Sequence, residues 1–91
     1  GPVWRGGDHG EAELLQSCYR QSLSVAAARG LQSIAFPSIS TGIYGYPIDL
    51  AATIALGTAR DFLRQPTSIE RIVFCCFSAA DLEVHQRQLR A

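Results

Sequence analysis

Ser33-Ile34-Ala35-Phe36-Pro37-Ser38-Ile39-Ser40-Thr41-Gly42-Ile43-Tyr44-Gly45-Tyr46-Pro47 is the stretch that decides how this chain reads. It opens as a short apolar run, passes through small and hydroxylated residues punctuated by Gly42 and Gly45, and stops at a proline suited to opening a helix. A strand, a glycine loop and a helix in that order form an anion cradle. Loop amides without carbonyl partners lie beside the positive end of a helix and need no basic side chain to hold a phosphate. The same spacing also fits a tight strand-to-helix turn with no ligand, and glycine positions alone do not separate the two. Ser38, Ser40 and Thr41 lack the G-x-S-x-G setting of a nucleophile, so their hydroxyls are assigned to phosphate or structural hydrogen bonds.

Upstream of this stretch, Glu11 to Arg29 places Leu15, Cys18, Tyr19, Val25 and Ala26 on one side at helical spacing, with small Ser22 between them. Asp8 followed by Glu11 resembles a capping box, and Gly30 is a natural C-terminal stop. Leu31 to Phe36 predicts a strand. Its lack of clean alternation predicts burial on both faces, and Pro37 ends the ladder.

Downstream, Pro47 at a first helical position opens a helix carrying Ile48, Ala51, Ala52, Ala55, Ala59 and Phe62, which ends near Pro66. Ile69 to Phe77 reads as a second buried strand, rich in β-branched and aromatic residues. Ser78 and Asp81 then form a capping signature for a last helix reaching about Leu89. Helix, strand, helix, strand, helix predicts an α/β fold with a parallel pair. Two strands, or three if Val3-Trp4 ends another, are few for a sheet covered on both faces, so partner strands are expected from elsewhere.

Composition narrows the classes of function. The 91 residues are 47% hydrophobic, enough for a core, and their 8 basic and 8 acidic residues leave no basic footprint for nucleic acid or polybasic patch for a membrane. No apolar stretch is long enough to span a bilayer and no signal-peptide pattern opens the chain, so an intracellular protein, cytoplasmic or nuclear, is expected. Cys18, Cys75 and Cys76 lack zinc spacing and read as buried reduced thiols. His9 and His85 read as exposed polar residues. Trp4 and Tyr19 read as packing residues, and no metal site or cofactor is expected.

Three segments together carry a resemblance: Gly1-Pro-Val-Trp-Arg-Gly-Gly-Asp-His-Gly-Glu-Ala-Glu-Leu-Leu15, Ile34 to Pro47, and Ile72-Val-Phe-Cys-Cys-Phe77. They resemble the C-terminal half of a macrodomain of the MacroD-type branch. The likeness covers essentially the whole chain, so residues 1–91 read as that half, with the N-terminal half absent.

The resemblance implies a three-layer α/β/α domain that binds ADP-ribose or ADP-ribosylated protein. It also implies a parent protein that removes ADP-ribose from proteins or deacetylates O-acetyl-ADP-ribose. Carried over by position, Ile39, Ser40, Thr41, Gly42, Ile43, Tyr44 and Gly45 would wrap the diphosphate and distal ribose, with Tyr44 against that ribose and Phe77 against the adenine. The family's adenine-reading acid, asparagine-rich segment, first glycine loop and catalytic acid belong to the other half. No catalytic residue is therefore assigned here, and full activity is not expected of this chain alone. The competing expectation is an inactive fragment or an ADP-ribose reader, completed by the missing half or by another copy through exposed strand edges. By itself, Phe77 fits a core aromatic as well as an adenine contact.

Overall fold

A computed structural model describes residues 1–42, 44–76 and 78–90. The elements run α1 (Glu11–Ala28), β1 (Ser33–Phe36), α2 (Ile48–Leu63), β2 (Arg71–Phe74) and α3 (Ala79–Arg90). This is the expected α/β order. The strands pair in parallel, with Ser33 opposite Arg71 and Phe36 opposite Phe74.

Both strands are shorter than the apolar runs that announce them. At one end the Gln32 carbonyl accepts from the amides of both Glu70 and Arg71, and at the other Pro37 has no amide to donate. Phe77, expected to end the second strand, lies outside the described residues.

The buried stripe of α1 is Leu15, Tyr19, Leu23 and Ala26, a helical face that meets Phe36. Val25, expected on this face, lies off that line and is exposed, whereas Leu23 is fully enclosed. The Tyr19 ring lies edge-on to Phe36 at 4.9 Å, and Phe36 stacks on its register partner Phe74 at 5.9 Å. The helix ends in a Schellman motif. Gly30, at φ 69°, donates to Ala27, and Leu31 donates to the Ala26 carbonyl.

α2 is the middle helix and buries two sides. Ala51 and Ala55 join the core with α1, and α2 also packs on α3. Gln88 fastens that second contact by accepting from the Thr53 hydroxyl and donating to the Asp49 carbonyl. Pro47 stands one residue earlier in the helix than expected, as N-cap, because its ψ of 129° is extended rather than helical. At α3 the Ser78 hydroxyl accepts from the Asp81 amide, which is half of the expected capping box.

Three expectations are corrected. Burial on both sheet faces is not seen among the described residues. Phe74 meets Tyr19 of α1 and His85 of α3, so the helices cover one face, while Ser33, Ala35 and Arg71 on the other are exposed. The cysteines are free, but Cys75 is exposed and Cys18 and Cys76 are only half-buried. His85, expected at the surface, is buried against Phe74. Its Nδ1 lies 2.9 Å from the Asp81 carbonyl, which only accepts, so that nitrogen carries the proton.

The start of α1 departs furthest from expectation. Its N-cap is Gly10 at φ 75°, with no side-chain cap, and Asp8 is exposed. Glu11, only 2% exposed, turns its carboxylate back into the preceding loop. There Oε2 accepts from Arg5 and Gly7 at 2.8 and 2.9 Å, and Oε1 accepts from His9 at 2.6 Å. Burial alone would raise this carboxyl, but the amides of Arg5, Gly7, Glu11 itself and His9 outweigh it and hold the pKa at about 2.

Truncating Leu15, which has no solvent exposure, should cost about 2–5 kcal/mol in chemical denaturation as Leu15→Ala. Glu11 predicts a pH dependence of known sign. Its folded pKa lies below the ordinary 4.5, so its stabilisation is complete above that value and is lost as pH falls through about 2. Denaturation midpoints measured across this window should fall with acid in the wild type and be flatter in Glu11→Gln.

Candidate functional site

Beyond the C-terminal end of β1 the chain crosses to α2 through residues 37–47, and backbone bonds close this crossing into a loop. The Tyr46 amide donates to Ser40 at 2.9 Å, the Gly45 amide to Gly42 at 3.0 Å, and the Thr41 amide weakly to Ser38 at 3.5 Å. Side chains tie the loop's entrance to the sheet. The Ser38 hydroxyl donates to the Cys75 carbonyl at 3.3 Å, and the Thr41 hydroxyl donates to Ser38 at 3.1 Å. Gly45 takes φ 72°, which a glycine accepts without the penalty of a Cβ.

Ser40 also has a positive φ, 68°, and is the one non-glycine among the described residues to do so. That conformation costs roughly 1–2 kcal/mol in an L-residue and recurs at functional sites. Its hydroxyl oxygen is buried with no partner among the described residues.

The amides of Ser40, Gly42 and Tyr44 donate to no backbone acceptor among the described residues. A Cβ built on Gly42 would meet nothing within 4 Å, so the loop's outer side is open there. Tyr44 is 42% exposed, whereas Tyr46 is buried with its ring centroid 4.8 Å from Trp4. Burial first, then the charges of Glu11 and Glu13, push the Tyr46 hydroxyl pKa up. The loop itself carries no basic residue, none lying between Arg29 and Arg60 in the sequence, and it leads into the N-terminus of α2, whose dipole favours an anion.

The residues singled out in the sequence are thus divided. Ile39, Ser40, Thr41, Gly42, Tyr44 and Gly45 share one loop, while Ile43 and Phe77 lie outside the described residues. Two features escaped the sequence reading. One is Trp4, whose amide donates to the Tyr44 carbonyl at 2.8 Å and so joins the first residues to the loop. The other is Tyr19, whose hydroxyl faces the Ile39 amide and is raised in pKa by burial.

Two surface grooves lie elsewhere. One of about 300 Å³ runs between α1 and α2, and one of about 490 Å³ runs along Val25, Leu31 and Ile34; neither is lined by residues 37–47.

Comparison with known proteins gives a consistent result. The Macro domain family model matches residues 1–55, which include the whole loop. The chain is 59% identical over 91 residues to Macro domain-containing protein CT2219 of Chlorobaculum tepidum, matching 100% of this chain and 53% of that protein. It is 51% identical over 89 residues to the O-acetyl-ADP-ribose deacetylase of Citrobacter rodentium, matching 98% of this chain and 50% of that protein.

Among solved structures, the Oceanobacillus iheyensis macrodomain with ADP superposes with a TM-score of 0.92 at 42% identity, covering 99% of this chain and 47% of that one. The Trypanosoma brucei macrodomain in complex with ADP-ribose superposes at 0.86 with 37% identity, covering 98% and 37%. The chain thus spans about half the length of the curated relatives it matches. With the family model running from the first residue through the loop and into α2, the chain belongs to the macro domain family.

Proposed function

We propose that this chain binds ADP-ribose, or the ADP-ribosyl group of a modified protein, by wrapping its diphosphate in the loop from Ile39 to Gly45. The observation that carries the reading is the loop's set of amides without a backbone acceptor. Those of Ser40, Gly42 and Tyr44 have no backbone acceptor among the described residues, the space over Gly42 is open, and Ser40 is held in a left-handed conformation. Amides so arranged bind an anion by geometry rather than by net charge. Exposed Tyr44 is assigned to the distal ribose and Phe77 to the adenine. Structures of relatives containing ADP and ADP-ribose support the ligand class.

Residues 1–91 are proposed to be the C-terminal half of the macrodomain unit, supplying one of two loops that clasp the diphosphate. Relatives named O-acetyl-ADP-ribose deacetylase support a parent activity on O-acetyl-ADP-ribose or on ADP-ribosylated protein. The groups that place substrate and water for that reaction are assigned to the other half. A non-enzymatic reader is the second reading, favoured by the exposed face and edges of a two-stranded sheet, which suit completion by another polypeptide.

Calorimetric titration of ADP-ribose into the chain, alone and with an added N-terminal macrodomain half, tests the proposal; saturable binding is expected, and no binding in either arm would refute it. Two glycine variants separate ligand contact from folding. Gly42→Val should weaken ADP-ribose binding by roughly tenfold or more while leaving the melting temperature nearly unchanged, since its added atoms meet only open space. Gly45→Ala should instead lower stability by roughly 1–2 kcal/mol, because it places a Cβ at φ 72°.

A further inference from the structure

We infer that Glu11 is a positioning residue for the anion loop: its buried carboxylate pins the first nine residues as a strap, and the strap holds the 39–46 segment in its binding shape. The inference rests on the diphosphate reading of that loop. Glu11 is far more engaged than helix capping requires. A cap satisfies one or two amides at the helix end, whereas this carboxylate takes three donors spread from Arg5 to His9, all before the helix begins. Gly6 and Gly7, both at φ 93°, supply the left-handed turns that aim those amides inward.

The strap's other end rests on the loop in three places. The Trp4 amide donates to the Tyr44 carbonyl at 2.8 Å, and the Trp4 ring lies on Tyr46. Gly1 sits so close to Ile39 and Ser40 that any side chain there would run into theirs. Tyr46 in turn closes the loop through its amide bond to Ser40, the residue held left-handed. Glu11 touches no assigned ligand residue directly, yet a continuous set of contacts leads from its carboxylate to Ser40 and Tyr44. Without the carboxylate, three inward-facing amides lose their acceptor and the turn that places Trp4 opens toward water.

The test compares Glu11→Gln and the shorter Glu11→Asp with Leu23→Val, a core change on α1 at a residue that belongs to neither strap nor loop. ADP-ribose affinity, Trp4 emission and hydrogen exchange at the Gly45 and Tyr46 amides are read in each; Trp4 is the chain's single tryptophan, so emission reports the strap alone. Both Glu11 variants should weaken ADP-ribose binding by roughly tenfold, shift Trp4 emission to the red and speed exchange at the two amides. Leu23→Val should leave all three at wild-type values.

Unchanged affinity and exchange in the Glu11 variants, or an equal effect of Leu23→Val, would overturn the inference. If Glu11→Gln does not fold, Glu11→Asp decides alone. If the wild type itself fails to bind ADP-ribose, the diphosphate reading falls separately. Exchange at Gly45 and Tyr46 then still decides the pin: faster exchange in the Glu11 variants upholds it, and unchanged exchange ends it.

Discussion

A backbone amide turned away from carbonyl partners must find an acceptor or face water, and this constraint shapes both glycine-rich segments of the chain. In the segment before α1, left-handed glycines turn three amides inward, and the chain supplies the acceptor itself, the carboxylate of Glu11. In the segment after β1 the amides of Ser40, Gly42 and Tyr44 have no such acceptor among the described residues. The first set of amides is satisfied by the protein's own anion, and the second is the set proposed to take an anion from outside. At Glu11 the amide bonds outweigh the cost of burial and hold the carboxyl pKa well below its ordinary value.

The rest of the fold presents the open loop. The core of Leu15, Tyr19, Leu23, Phe36 and Ala55 fixes β1 against α1 and α2, so the loop between β1 and α2 starts and ends on packed elements. Trp4 and Tyr46 close it from the strap side, and Ser38 ties it to the end of β2. That places the loop at the carboxyl ends of parallel strands, where open α/β sheets put ligands. Among the described residues, helices cover one face of the strand pair, and Ser33, Ala35 and Arg71 on the other are exposed, in a chain spanning about half the length of its relatives.

Much of this was legible in the sequence. The five elements, their order, the parallel pairing and the Gly30 stop follow from periodicity and turn chemistry, and the loop residues with their strand-to-helix setting followed from the same signals. What was not legible depended on tertiary partners. Glu11 looked like half of a capping box because sequence spacing cannot show a carboxylate turning back onto amides ahead of its helix. Val25 was placed on the buried face and Leu23 was passed over because the buried line of α1 follows the position of Phe36, which only packing reveals. His85 looked like a surface histidine until α3 laid it on Phe74. Burial of the strands was overestimated because an apolar run records what a strand is built to meet, not what this chain places there.

The central proposal is that the loop from Ile39 to Gly45 holds a diphosphate through the amides of Ser40, Gly42 and Tyr44, which have no backbone acceptor among the described residues. The most direct measurement is an amide-resolved NMR titration of the chain with ADP-ribose, with the N-terminal macrodomain half present. Saturable shifts centred on the amides of Ser40, Thr41, Gly42 and Tyr44, with those of Arg5, Gly7 and His9 little changed because Glu11 already occupies them, are the predicted result. Shifts absent from the loop, or centred on another surface, would contradict it.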